Sequence, residues 1–150
     1  MKLLTKVISI AAFLAAGAAS YAQAEEGQCV MIHVAREDAM GFKQAINIAK
    51  NIPKQLGADT VRIEVIAQGP GLKLFTKGSP ETDRSKSLAA MGDQTMGGGT
   101  KFSACAATMA GIKKKTGKEP ELIEGVGVTH PGAAARILEL YKEGCAYVRI

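Results

Sequence analysis

Three cysteines and two histidines are the side chains of this 150-residue sequence best suited to nucleophilic, redox or metal chemistry, and their spacing narrows the choice. Cys29, Cys105 and Cys145 include no Cys-x-x-Cys pair, which disfavours a dithiol oxidoreductase of the thioredoxin kind. His33 and His130 make no His-x-x-His, and the six methionines make no Met-x-x-Met cluster. No metal site is therefore assigned, although soft-metal binding, copper in particular, stays open. Thr108 follows Cys105 by three residues, so its hydroxyl can return to the first turn of a helix and bond backbone or sulfur. A cysteine at a helix N-terminus has its thiol pKa lowered from about 8.5 into the range of about 3.5–7.5, which yields a thiolate at neutral pH. Other constellations carry less. Gly97-Gly98-Gly99 lacks a following Gly-Lys-Ser/Thr and reads as a loop, not a phosphate cradle. Lys113-Lys114-Lys115 reads as a solvated helix end, and Glu119, Glu121 and Glu124 show no pairing suited to acid–base catalysis.

From Cys29 onward, short β-rich runs alternate with helical stretches, which predicts an α/β fold with a parallel sheet. The strands are Cys29–Val34, Val61–Ala67, Lys101–Cys105, Gly125–Thr129 and Cys145–Arg149. Phe42, Ala45, Ile46, Ala49, Ile52 and Leu56 form the apolar face of the first helix, opposite Lys43, Asn47, Lys50 and Lys54. Pro53 is expected to kink or end that helix early, with Gly57 as the stop. Gly69-Pro70-Gly71 makes a tight exit from the second strand, and Leu72–Phe75 is too short to assign. Thr82–Met91 reads as a helix, as does Ala106–Lys115, whose three terminal lysines suit the negative end of its dipole. His130-Pro131 is expected to open the last helix with proline in its first turn. Ala134, Ile137, Leu138 and Tyr141 would line the inner face of that helix, and Gly144 would end it.

In such sheets ligands gather at the carboxyl ends of the strands, where helix N-termini present their N–H groups. His33, Gln68, Cys105 and His130 all fall there, and Cys105, at a strand-to-helix junction, is placed best. Bland readings stand beside these. Cys105 can be a strand-end cysteine that merely packs, His33 a core histidine, and His130 a helix cap.

Residues 1–24 read as an export signal: Lys2 and Lys6, a thirteen-residue apolar run from Val7 to Ala19, and Ala22-Gln23-Ala24 as the cleavage pattern. That run is short of the ~20 residues a membrane-spanning helix needs, so no span is expected once the leader is removed, and the protein is expected to be exported to the periplasm. Without Lys2 and Lys6 the net charge falls from +5 to +3, a solubility-level bias. An absence of Trp and a 5% aromatic share weigh against nucleic-acid binding. An oxidising compartment permits disulfides, and an odd cysteine count leaves at least one thiol unpaired within the chain. A strand spans about 17–20 Å, so Cys105, at the opposite end of the sheet from Cys29 and Cys145, cannot pair with either.

Residues 25–150 resemble the DsrE/DsrF-like, or YchN-like, proteins over essentially their whole length. The resemblance rests on a first strand ending in His33-Val34-Ala35 and an Ala-rich helix with Asn47 and Lys50. It also rests on the run from Glu64 to Leu72, the run from Lys101 to Met109, and the closing Gly144 to Arg149. It implies a three-layer α/β/α fold with a five-stranded parallel sheet, homo-oligomers, and sulfur relay through a persulfide on Cys105 with no cofactor. His130, Thr108, His33 and Gln68 would support that thiolate. The family's sheet order would also make the first and last strands neighbours, so that Cys29 could bridge Cys145. A sulfur carrier need not turn over as an enzyme, and neither its donor nor its acceptor is named by the residues. A non-catalytic oligomeric module binding a small ligand or soft metal is the alternative.

Overall fold

Five short apolar strands assemble one parallel sheet. The computed structural model describes residues 28–57, 60–79 and 100–150. Strands β1 (Gln28–Val34), β2 (Val61–Ala67), β3 (Thr100–Cys105), β4 (Val126–Thr129) and β5 (Ala146–Arg149) lie in the order β4-β3-β2-β1-β5. Register places His33 beside Ile66 and Arg149, and Cys105 beside Thr129. The expected leader, the expected helix Thr82–Met91 and the glycine run at 97–99 lie outside the described residues.

Each face of the sheet is covered because alternate residues point opposite ways. On one face, Ile32, Val34, Ile63, Val65, Ala67 and Phe102 pack with Phe42, Ala45 and Ala49 of helix α1 (Ala39–Leu56). Each large aliphatic or aromatic side chain so buried contributes roughly 1.5–3 kcal/mol. Helix α2 (Ala106–Thr116) joins that face through Met109 and Ile112 against Ala104 and Leu72. On the other face, Met31, Ile66 and Cys105 pack beneath Ala133, Ile137 and Leu140 of helix α3 (Ala133–Lys142). These are the three layers of an α/β/α fold.

Local chemistry explains where the elements begin and stop, and several expectations need correction. Helix α1 starts at Asp38, whose carboxylate accepts the Gly41 N–H at 2.7 Å and so satisfies one donor left orphaned at a helix start. Pro53 does not end the helix, which continues to Leu56. In the last turn proline deprives only the Ala49 carbonyl of a partner, and the Gly57 N–H closes the turn on Pro53 O at 2.9 Å. Leu56, expected on the buried face, is 48% exposed at the end of the helix. Gly69–Phe75 forms a 3-10 helix that buries Leu72, Leu74 and Phe75, so the unassigned stretch is a core element.

Helix α3 departs most. It begins at Ala133 with Gly132 as its cap, so Pro131, joined to His130 by a cis peptide, precedes the helix and is not in its first turn. Leu138 and Tyr141 are 54% and 69% exposed, and Ala134 is exposed too. The inward face is instead Ala133, Arg136, Ile137 and Leu140. Ile137 belongs to either phase, and the buried Glu64 carboxylate decides between them by drawing Arg136 inward.

Chain direction also fixes which face each helix takes. Steps from β1 to β2 and from β3 to β4 run the same way along the sheet and share a face, whereas the step from β4 to β5 returns across it. Right-handed crossovers in opposite directions place their helices on opposite faces. Neighbouring strands β3 and β4 therefore send their helices apart, and the crevice between their carboxyl ends is a topological switch point.

Candidate functional site

Cys105 ends β3 at that switch point, immediately before α2. Two helix N-termini reach it. The Ala133 N–H, from the first residue of α3, donates to Cys105 Sγ at 3.3 Å, and the N–H groups of Ala107 and Thr108 face it from the first turn of α2. The Thr108 hydroxyl oxygen accepts the Gly69 N–H at 2.9 Å, which leaves the hydroxyl proton for the sulfur. Burial pushes the thiol pKa up, but Thr108 foremost, then the N–H groups of Ala133, Thr108 and Ala107, outweigh it and hold the pKa below the ordinary 9.0. Donors to the charged form favour the anion.

Only 5% of Cys105 is exposed, yet it lies on an open cleft of about 520 Å³. Gln68, Ala107, Thr108 and residues 131–135 complete the lining. Gly132 eases this approach: a Cβ there would stand in ordinary contact with Cys105 Sγ at 3.4 Å and would crowd the Ala107 Cβ at 3.2 Å. Thr108→Val is expected to raise the thiol pKa, because it deletes the side-chain donor while keeping the shape. The pH dependence of Cys105 alkylation measures this; an unmoved midpoint would mean that the hydroxyl does not hold the anion.

The other sequence candidates divide. Gln68 and Thr108 join Cys105 in the cleft. His130 is exposed and outside the lining. His33 is buried on the same sheet face, its Nδ1 2.7 Å from the Tyr147 hydroxyl, while no hydrogen bond reaches its buried Nε2. Burial, then the Arg149 charge, lowers the His33 pKa against an opposing contribution from Gln68, whose side chain lies near the ring. The imidazole is therefore neutral at pH 7. Cys29 and Cys145, one step before the paired residues Val30 and Ala146, are joined as a disulfide with Cα atoms 4.5 Å apart. Cys105 is the free cysteine.

Residue patterns missed two features. The Ala133 N–H and Gly132 act through backbone, which carries no residue-type signal. A buried polar cluster lies further down the same face: Glu64 accepts from Ser103 Oγ at 2.8 Å and from Arg136 Nη2 and Nε at 2.8 and 3.1 Å. Its one visible sign was an acid inside an apolar strand. Among the described residues no three His, Cys, Asp or Glu side chains are grouped to hold a metal ion, and no helix is long and apolar enough to cross a membrane.

No protein-family model and no curated protein matches the chain. Among solved structures it is similar to a protein of unknown function, MTH1491 from Methanobacterium thermoautotrophicum. Identity is 27%, over 82% of this chain and 99% of that one, with a TM-score of 0.67. It is also similar to the ychN protein of E. coli, at 10% identity over 83% of this chain and 99% of that one, with a TM-score of 0.56. The chain has a YchN-like α/β fold.

Proposed function

We propose that this protein is an exported sulfur carrier, and that Cys105 is the atom-bearing residue. The observation that carries the reading is the convergence of four donors on one cysteine sulfur at an open cleft: the Thr108 hydroxyl and the N–H groups of Ala133, Thr108 and Ala107. A carrier needs a thiolate at working pH and room beside it for one more sulfur, and little else.

The chemistry balances without a cofactor. The Cys105 thiolate attacks the outer sulfur of a sulfane donor such as thiosulfate or a polysulfide. A new S–S bond forms, the donor's S–S bond breaks, and sulfite or the shortened polysulfide leaves with the electron pair. An acceptor thiolate then takes the terminal sulfur and returns Cys105 as thiolate. The YchN-like fold and the resemblance to sulfur-relay proteins support this reading. Exposed Leu138, Tyr141 and Tyr147 support the homo-oligomer that the same resemblance implies.

After incubation with thiosulfate or polysulfide, the intact wild-type chain is expected to gain the mass of one sulfur atom. Cys105→Ser should gain none. Equal gain by both, or none by either, overturns the proposal.

A further inference from the structure

The Cys29–Cys145 disulfide lies at the amino end of the sheet, several residues along the strands from Cys105, and the carrier chemistry does not use it. On one side it packs in the apolar cluster of Met31, Ile66 and Leu140; on the other it meets a charge. Arg62 Nη2 is 3.3 Å from Cys29 Sγ and 3.7 Å from Cys145 Sγ. The two residues differ in access: Cys145 is buried, whereas Cys29 is partly exposed. Arg62 is itself half exposed and pairs with the Glu143 carboxylate just past α3.

We propose that the Cys29–Cys145 bridge is a thiol–disulfide exchange site for small thiols, with Arg62 receiving the charge of the departing sulfur. An incoming thiolate attacks Cys29 Sγ, on the more exposed of the two residues. The new bond is a mixed disulfide on Cys29, the Cys29–Cys145 bond breaks, and Cys145 departs as a thiolate beside the guanidinium. A second thiolate attacks the sulfur the first one contributed, releasing the small-molecule disulfide and Cys29 as thiolate. The bridge is thereby reduced by two electrons and two thiols are oxidised. A leaving thiol of lower pKa departs faster, and a neighbouring Arg lowers that pKa. The Glu143 carboxylate, bound to the same guanidinium, works against it.

The two charges give a test with opposite signs. In a Cys105→Ser background, so that only the bridge reports, the folded protein is exposed to glutathione, quenched with an alkylating agent and weighed over time. Arg62→Gln is expected to open about three- to tenfold more slowly than the parent, and Glu143→Gln faster. If Arg62 and Glu143 merely hold the sheet edge together, both variants open faster. That result overturns the proposal, as does a parent bridge that opens only at the rate of global unfolding. Sulfur uptake at Cys105 plays no part in this readout, so either proposal can fail alone.

Discussion

A chain carrying Arg136→Met is expected to lose about 3–5 kcal/mol of stability at neutral pH, read as a lower denaturant midpoint. Glu64 is 3% exposed, and the guanidinium is what offsets the cost of keeping its carboxylate out of water. Lys101 Nζ, 3.7 Å away on a largely exposed side chain, cannot replace two direct hydrogen bonds. The loss depends on pH, and its sign follows from Glu64. Burial pushes that carboxyl up, but hydrogen bonds from Arg136 and Ser103 and the charges of Arg136 and Lys101 hold it below its ordinary 4.5. A depressed folded pKa adds stability above the unfolded value and forfeits it as pH falls through the folded value. Without Arg136, burial dominates and the sign reverses, so the variant is relieved once Glu64 binds a proton. The gap between variant and wild type should start to narrow above pH 4.5, as the pH falls through the variant's raised folded value, and close further until the wild-type carboxyl is itself protonated below 4.5. Glu64→Leu with Arg136→Met should recover most of the loss, since an apolar pair of similar volume commonly matches a buried ion pair. A constant gap across pH would show that Arg136 stabilises by packing alone.

Gly71→Ala should cost about 3 kcal/mol, at the upper end of overpacking effects. A Cβ there would lie 2.3 Å from the Val34 carbonyl oxygen and 2.7 Å from its carbon. Both are backbone atoms of β1, a strand paired on both sides, so no rotamer relieves the clash. That same oxygen accepts the Gln68 N–H at 3.0 Å, which ties the displacement to a residue of the Cys105 cleft. Gly111→Ala is the matched control. It is a helical position where an added Cβ meets nothing within 4 Å, and a gain of about 0.5–1 kcal/mol is expected. Denaturant titration of the two variants should therefore move the midpoint in opposite directions; a shift of the same sign in both would refute the close-approach argument.

Strand positions were legible because apolar runs such as Val61–Ala67 are continuous and bounded by turn residues, and this span agrees residue for residue with β2. Helix α1 was legible from its spacing. The phase of α3 was not, because Ala133, Ala134, Ile137, Leu138, Leu140 and Tyr141 offer two overlapping apolar stripes. The choice between them depends on Glu64, which lies 72 residues away in sequence from Arg136. Local pattern cannot see that partner. Gly69–Phe75 escaped for a different reason: a 3-10 segment has neither the period of a helix nor that of a strand.

The site was half legible. Cys105 at a strand-to-helix junction and Thr108 one turn on are statements about neighbours in sequence. The second helix N-terminus is not, since Ala133 reaches the sulfur only because the chain reverses direction across the sheet after β4. Gln68 reaches the cleft because its strand runs beside β3, whereas His130, nearer the crevice in sequence, stays in solvent.

The link between Cys29 and Cys145 ties together residues 116 apart, and that has a topological corollary. The polypeptide between them is a closed loop, so a protease that severs one surface peptide bond inside it produces two fragments that still travel as one molecule. Electrophoresis of the nicked protein without reductant would show a single band, and with reductant two. Damage to the covalent backbone is thus not the same event as loss of the particle.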